Sequence, residues 1–209
     1  MIAIVDYGVG NLASVRKAFA AVGARAELVA RPERLAQADA LVLPGVGHFG
    51  HCARELRRRG LHEPVAHAVE RGTPLLAICV GLQLLFEGSA EDDRERGLGI
   101  LPGRVVRMSE APRLPQIGWN SVSLVGRHPW LQGTADEDYF YFVHSYVPVA
   151  DDERVVLGTT EYAGSRVAIA GRDGVLGVQF HPEKSSLAGL RLLRAFAASV
   201  PSRGRAARA

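Results

Sequence analysis

Cys79, His181 and Glu183 are the residues of this chain whose types and settings suit covalent chemistry. Cys79 closes the apolar run Pro74-Leu75-Leu76-Ala77-Ile78 and is followed by Val80-Gly81-Leu82-Gln83, which reads as the opening of a helix. Small residues at Ala77 and Gly81 permit the cramped strand-to-helix turn of a nucleophile elbow, which lifts one side chain out of the backbone. The reactive form of cysteine is the thiolate, so the chemistry needs a base. Much later, Gly177-Val178-Gln179-Phe180-His181-Pro182-Glu183-Lys184 supplies a histidine and a carboxylate two residues apart, spaced so that the carboxylate can orient and charge-pair the imidazole. An isolated cysteine in an apolar run is ordinarily a core residue. The turn glycine and the His181, Glu183 pair tip the reading toward a Cys-His-Glu triad.

The elements that must position these groups follow from hydrophobic periodicity. Residues 2–7 read as a buried strand, and residues 11–22 as a helix with Leu12, Val15, Phe19 and Val22 on one face. Further apolar strands are predicted at 26–29, 40–43 and 75–80, separated by helical stretches, with a helix at 81–87. This alternation gives a mostly parallel central sheet flanked by helices, with chemistry at the carboxyl ends of its strands. The second half changes character. Short strands at 104–107, 121–125, 139–147, 155–160, 167–170 and 175–180 suggest additional antiparallel pairs, and residues 186–200 form a closing amphipathic helix. The mixed-sign run Glu91-Asp92-Asp93-Arg94-Glu95-Arg96 reads as a solvated loop. The fold class is thus α/β, with residues 1–200 as one domain.

Composition bounds the function. The 209 residues are 47% hydrophobic and 22% charged, as in an ordinary globular protein. The net charge of +3 comes from Arg203, Arg205 and Arg208 in the last nine residues, 201–209, which read as a basic, disordered tail. Without them the chain is balanced, which argues against a nucleic-acid partner. Two cysteines without a disulfide framework fit a reducing compartment, and the absence of a long apolar stretch or a leader pattern predicts a cytoplasmic protein with no membrane segment.

Other motifs have plainer readings beside the functional ones. Pro44-Gly45-Val46-Gly47 follows a strand, and its bracketing glycines would let the Val46 N–H turn toward a neighbouring site, as an oxyanion hole requires. Alone, it is a strand-ending turn. Gly8, Gly10 and Ala13 after the first strand, with Glu27 further on, mimic a dinucleotide fingerprint, which is weak evidence without hydride chemistry elsewhere. His48, His51 and Cys52 complete no metal-ligand set, so solvent-facing histidines are expected, with no metal and no cofactor. Aromatics cluster in 139–146, and Trp119 beside Gly118 and Asn120 suits a binding surface.

With these residues in hand, the chain resembles the class I (triad) glutamine amidotransferases, most closely the glutaminase subunits of imidazole glycerol phosphate synthases in histidine biosynthesis. Asp-Tyr-Gly-Val-Gly-Asn at 6–11, Pro-Gly-Val-Gly at 44–47, Ile-Cys-Val-Gly-Leu-Gln at 78–83, Ile-Gly-Trp-Asn at 117–120, Tyr-Phe-Val-His-Ser-Tyr at 141–146 and Gln-Phe-His-Pro-Glu-Lys-Ser-Ser at 179–186 carry the likeness. It implies Cys79 as nucleophile, His181 as general base and acid, and Glu183 as its orienting partner. It also implies a glutamine pocket and oxyanion site at Gly45, Val46, Gly47 and Gln83. Trp119, Asn120, Tyr141 and Lys184 would face the partner, a (β/α)8-barrel cyclase in a heterodimer that receives ammonia from L-glutamine. Ala77 departs from a usual glycine, Leu82 from a common methionine, Gln116 from a common histidine and His48 from a common alanine.

The same resemblance implies a glutaminase nearly silent until the cyclase binds its substrate, with a peptide flip around Val46 as a physical candidate for the switch. Two alternatives stand beside it. One is a related amidotransferase and barrel pair in nucleotide-sugar or cofactor synthesis. The other is a non-catalytic scaffold, for which an intact triad would have no use.

Overall fold

The computed structural model describes residues 1–200, so the expected basic tail lies outside the described residues. The first half runs β1 (Ile2–Val5), α1 (Leu12–Ala21), β2 (Ala26–Val29), α2 (Pro32–Leu35), β3 (Ala40–Gly45), α3 (Phe49–Arg58), α4 (His62–Glu70), β4 (Leu75–Cys79) and α5 (Val80–Leu84). The second half adds β5 (Gly88–Ser89), β6 (Asp92–Arg96), β7 (Gly103–Arg107), β8 (Gln116–Leu124), β9 (Asp138–His144), β10 (Tyr146–Ala150), β11 (Val156–Glu161), β12 (Ser165–Arg172), β13 (Val175–Val178) and α6 (Ser186–Ser199).

Nine strands form one sheet in the order β2-β1-β3-β4-β13-β12-β11-β8-β9. The first five are parallel and the rest join antiparallel, so the predicted α/β class with a parallel core and antiparallel additions is observed. The four inner parallel strands are apolar throughout because both their faces are covered: β1, β3, β4 and β13 are buried at every residue, whereas β2 at the edge carries the half-buried Glu27. Phe19 of α1 meets Phe196 of α6 with ring centroids 6.0 Å apart, and both are fully buried. Each such side chain contributes about 1.5–3 kcal/mol on burial. Among the described residues no helix is long and apolar enough to cross a membrane.

Three sequence expectations are corrected. The charged run 91–96 is not a solvated loop: Asp92–Arg96 is β6 of a second, four-stranded sheet ordered β10-β7-β5-β6. Two of its acids are matched by arginines on α3, with Arg54 2.9 Å from Asp92 and Arg57 3.1 Å from Glu95, and the third, Asp93, by Arg104 of β7 at 3.0 Å. Gly50 is the residue that lets Asp92 close in, since a Cβ there would lie 2.3 Å from the Asp92 carboxylate. The predicted strand 139–147 breaks at Ser145 into β9 and β10, which belong to different sheets. The helix after Cys79 spans Val80–Leu84, shorter than 81–87.

Candidate active site

Cys79 is the last residue of β4 and adopts φ 56, ψ −111. A non-glycine residue held there carries strain of order 1–3 kcal/mol, and the surroundings must enforce it. Gly81 shows how: a Cβ at that position would lie 1.9 Å from the Leu43 carbonyl oxygen, so only glycine lets the turn press against β3. Ala77 fits without disturbance, flanked in register by Leu43 on β3 and Gly177 on β13.

Because β13 runs parallel beside β4, with Val178 level with Ile78, the residues after β13 emerge at the same sheet end as Cys79. His181 and Glu183 therefore arrive beside the sulfur. His181 Nδ1 is 2.9 Å from Glu183 Oε1, and the two side chains are 2% and 1% exposed. Nε2 is buried with no hydrogen-bond partner. Burial alone would lower the imidazole pKa, but interaction with Cys79 and Glu183 outweighs it and pushes the value up to about 10. The His181 backbone is fixed as well: its N–H donates to the Tyr141 carbonyl at 2.9 Å, and the Ser185 hydroxyl donates to its carbonyl at 2.6 Å.

The sulfur opens on a cavity of about 600 Å³ bordered by Val46, Gly47, Gln83, Glu91, His144 and Lys184. Gln83 spends its amide protons on the Tyr146 carbonyl and on Gln179 Oε1, both at 3.1 Å, while Gln179 Nε2 approaches Cys79 Sγ at 3.8 Å. Gly45 is level with Cys79 in the β3–β4 register. Leu41, four pairs earlier, donates its N–H to the Pro74 carbonyl at 2.8 Å, so residues 41, 43 and 45 direct their backbone groups toward β4. Continued to the strand end, this alternation turns the Gly45 carbonyl, and not the Val46 N–H, toward the Cys79–Val80 turn. Sequence reasoning missed Glu91, Gln179 and His144, and also Gly10 and Asn11 of the glycine loop, which border this same cavity.

The triad geometry on a sheet of this topology has counterparts. The chain matches the family "Glutamine amidotransferase class-I" over residues 3–200. It belongs to the class-I glutamine amidotransferase family. Among curated relatives, "Imidazole glycerol phosphate synthase subunit HisH" of Salinibacter ruber is 48% identical over 205 residues, covering 95% of this chain and 94% of that one. The protein of the same description from Aquifex aeolicus is 46% identical, covering 92% and 94%. A crystal structure of a glutamine amidotransferase superposes with a TM-score of 0.75 at 23% identity, covering 93% of this chain and 96% of the other. The structure of PurLQS from Thermotoga maritima gives 0.75 at 19%, with 93% and 96% covered. At those identities the structural likeness speaks for the amidotransferase fold.

On the outside of this amidotransferase, Trp119 is 53% exposed and meets Tyr141 edge-on at 6.1 Å, while Lys184 Nζ sits 5.9 Å from the Tyr141 ring centre. Asn120 differs from its three companions: its amide donates to the Glu161 carbonyl at 2.9 Å, bracing β8 to the end of β11. His48 and His51 are exposed, and His48 caps α3 by accepting the Gly50 N–H at 3.1 Å. Cys52 is fully buried. Among the described residues no three His, Cys, Asp or Glu side chains come together as a metal site.

Proposed function

We propose that this chain is the glutaminase subunit of an imidazole glycerol phosphate synthase, hydrolysing L-glutamine to glutamate and delivering ammonia to a (β/α)8-barrel cyclase in the cytoplasm, with residues 1–200 as its single amidotransferase domain. The observation that carries the reading is the buried His181–Glu183 pair beside a strained Cys79 at the mouth of one cavity. The identity to imidazole glycerol phosphate synthase subunits over nearly the whole chain supports the choice of pathway over nucleotide-sugar or cofactor synthesis.

Cys79 gives its proton to His181 Nε2, and Sγ attacks the carboxamide carbon of glutamine. The C–N bond breaks as Nε2 returns the proton to the departing ammonia. Water, deprotonated by the same nitrogen, then cleaves the thioester and frees glutamate and the thiol. Glu183 holds the ring in the tautomer with Nε2 free and stabilises the imidazolium. Glu91 places a carboxylate on the cavity wall, complementary to the α-ammonium of an amino-acid substrate, and Gln83 lines the side-chain slot. A donor for the tetrahedral oxyanion comes from Val46 once its peptide turns, so a chain at rest with the Gly45 carbonyl toward Cys79 is a slow glutaminase.

Docking of the cyclase on Trp119, Tyr141 and Lys184 closes the path by which ammonia would otherwise meet bulk water and be protonated. The test is glutamate release by the purified chain, alone and mixed with a barrel cyclase, with and without the cyclase's nucleotide substrate. Little release alone and rapid release in the full mixture, abolished by Cys79→Ala, is the expected result. Undiminished release by Cys79→Ala rules the mechanism out, and rapid release by the chain alone rules out the gated subunit.

A further inference from the structure

Beneath the strand that borders the sulfur lie two buried donors that the chemistry above leaves unused. Tyr7, just past β1 and fully buried, donates its hydroxyl to the Pro44 carbonyl at 2.7 Å. Cys52, fully buried in α3, donates its thiol to the Val46 carbonyl at 3.3 Å. Both groups remain protonated at neutral pH: burial raises the Tyr7 hydroxyl well above its usual value and pushes the Cys52 thiol up to about 11. They act as donors and not as nucleophiles.

The two held carbonyls bracket a single peptide, the one between Gly45 and Val46. That is the peptide whose carbonyl faces the Cys79–Val80 turn and whose N–H must come round to serve an oxyanion. We infer that Tyr7 and Cys52 are positioning residues that clamp the carbonyls on either side of the Gly45–Val46 peptide, confine rearrangement of this strand to that one unit, and thereby hold the unstimulated glutaminase down. The inference rests on the glutaminase reading proposed above.

The geometry explains why the restraint is needed and why it works. A peptide turns about its two flanking Cα atoms through ψ of Gly45 and φ of Val46, leaving the chain on either side in place. Glycine relieves the first rotation. The second carries valine toward the left-handed region, which a β-branched residue resists. Were the Val46 carbonyl free, the strain could spread into Gly47, already at φ +81 with open space around it, and the turned state would become easier to reach. On the other flank, a Cβ on Gly45 would lie 2.9 Å from the Tyr7 hydroxyl and 2.8 Å from the Gly81 nitrogen, so Tyr7 also fixes how closely this strand sits against the elbow.

The test compares wild type, Cys52→Ala, Cys52→Ser and Tyr7→Phe, each as the full chain, alone and in the stimulated mixture with the cyclase and its nucleotide. Cys52→Ala is expected to raise the unstimulated kcat several-fold, leave the stimulated kcat within about twofold and leave the KM for glutamine unchanged, since the donor touches no substrate. Cys52→Ser, which keeps a donor, restores the low unstimulated rate, and Tyr7→Phe shifts the ratio in the same direction as Cys52→Ala. Unstimulated and stimulated rates that fall together, or a ratio unmoved in both Cys52→Ala and Tyr7→Phe, overturn the clamp. If wild type shows no stimulation at all, the proposed function fails instead. A measurement without the partner stands behind the kinetics: relaxation dispersion of the backbone amides should show exchange at Val46 alone in wild type and at Val46 and Gly47 in Cys52→Ala. Identical dispersion in the two proteins also overturns the clamp.

Discussion

His181 and Glu183 form a pair 2.9 Å apart that is almost wholly removed from water, and the pair is completed on the far side of the imidazole by Cys79. Ion pairs at this depth are costly to dismantle one partner at a time, because the survivor is left buried and uncompensated. The carboxylate thus orients the ring and stabilises the imidazolium that forms when Cys79 gives up its proton.

Glu183→Gln should lower glutamate release by about 10³–10⁴-fold, as expected when an orienting carboxylate of a triad becomes a neutral amide. It should also change how stability depends on pH. The folded pKa of His181 is raised from 6.5 to about 10, so the native state binds the extra proton between those values. The stabilisation is complete below pH 6.5 and is lost as pH rises through the folded value. Urea midpoints of wild type should decline across that window, and those of Glu183→Gln should decline less. Parallel curves would contradict the assigned pair.

His144 has the opposite sign. Burial depresses its pKa from 6.5 to about 4, despite the hydrogen bond from Nδ1 to the Tyr146 carbonyl at 2.9 Å. The unfolded chain takes up the proton first, so this contribution is intact above pH 6.5 and drains away as pH falls toward 4. His144→Asn keeps a donor near Nδ1 and removes the titration, so its stability should vary less between pH 7 and 4.5 than that of wild type in denaturant titrations.

Gly81→Ala should prevent the chain from accumulating in folded form, or destabilise it by at least about 3 kcal/mol, because the contact is with backbone that cannot swing aside. Gly23→Ala is the control. Its φ is +78 but nothing lies within 4 Å of the added carbon, so the cost should be only about 1 kcal/mol. Urea unfolding of both variants measures the difference.

Trp119→Ala should weaken binding to the cyclase by at least about 2 kcal/mol, close to thirtyfold in Kd, with the melting point of the free chain nearly unchanged. The ring is half exposed and its removal opens no core cavity. Titration calorimetry with the cyclase decides it, and unaltered affinity would move the docking face elsewhere.

Glu91→Gln should raise the KM for glutamine by about tenfold or more while leaving the stimulated kcat within a few-fold, the pattern of a lost charge contact made equally in ground and transition states. Steady-state kinetics in the stimulated mixture separates this from damage to the triad, which would lower kcat.

Much of the site was legible because its signals are local. Cys79 is announced by the apolar run before it and Gly81 after it, and His181 carries its carboxylate two residues away. The parallel core was legible for the same reason, since β1, β3 and β4 are short apolar runs between helices. Glu91 was not. In sequence it opens a mixed-sign run that looks solvated, and only the fold brings its carboxylate 2.7 Å from the Phe49 N–H at the start of α3. Gln179 and His144 look like ordinary strand residues until the sheet closes around their polar ends. The side toward which Val46 turns its N–H was equally hidden, because strand parity is set by pairing with Pro74, far along the chain.

Tyr141 has two attachments. Its ring stands between Trp119 and Lys184 on the outer face, and its carbonyl receives the His181 N–H while its own N–H is held by the Ser185 hydroxyl at 3.0 Å. No loop intervenes between the ring and the imidazole. If the cyclase docks there as proposed, load on that aromatic face passes along a short strut into the backbone that carries the proton-shuttling nitrogen, so seating the partner and aligning the base become one mechanical variable. Under the docking proposed above, the outer patch is a bearing as well as an adhesive surface: a cyclase that gripped it slightly off-centre would still be bound, yet would leave the shuttle out of true.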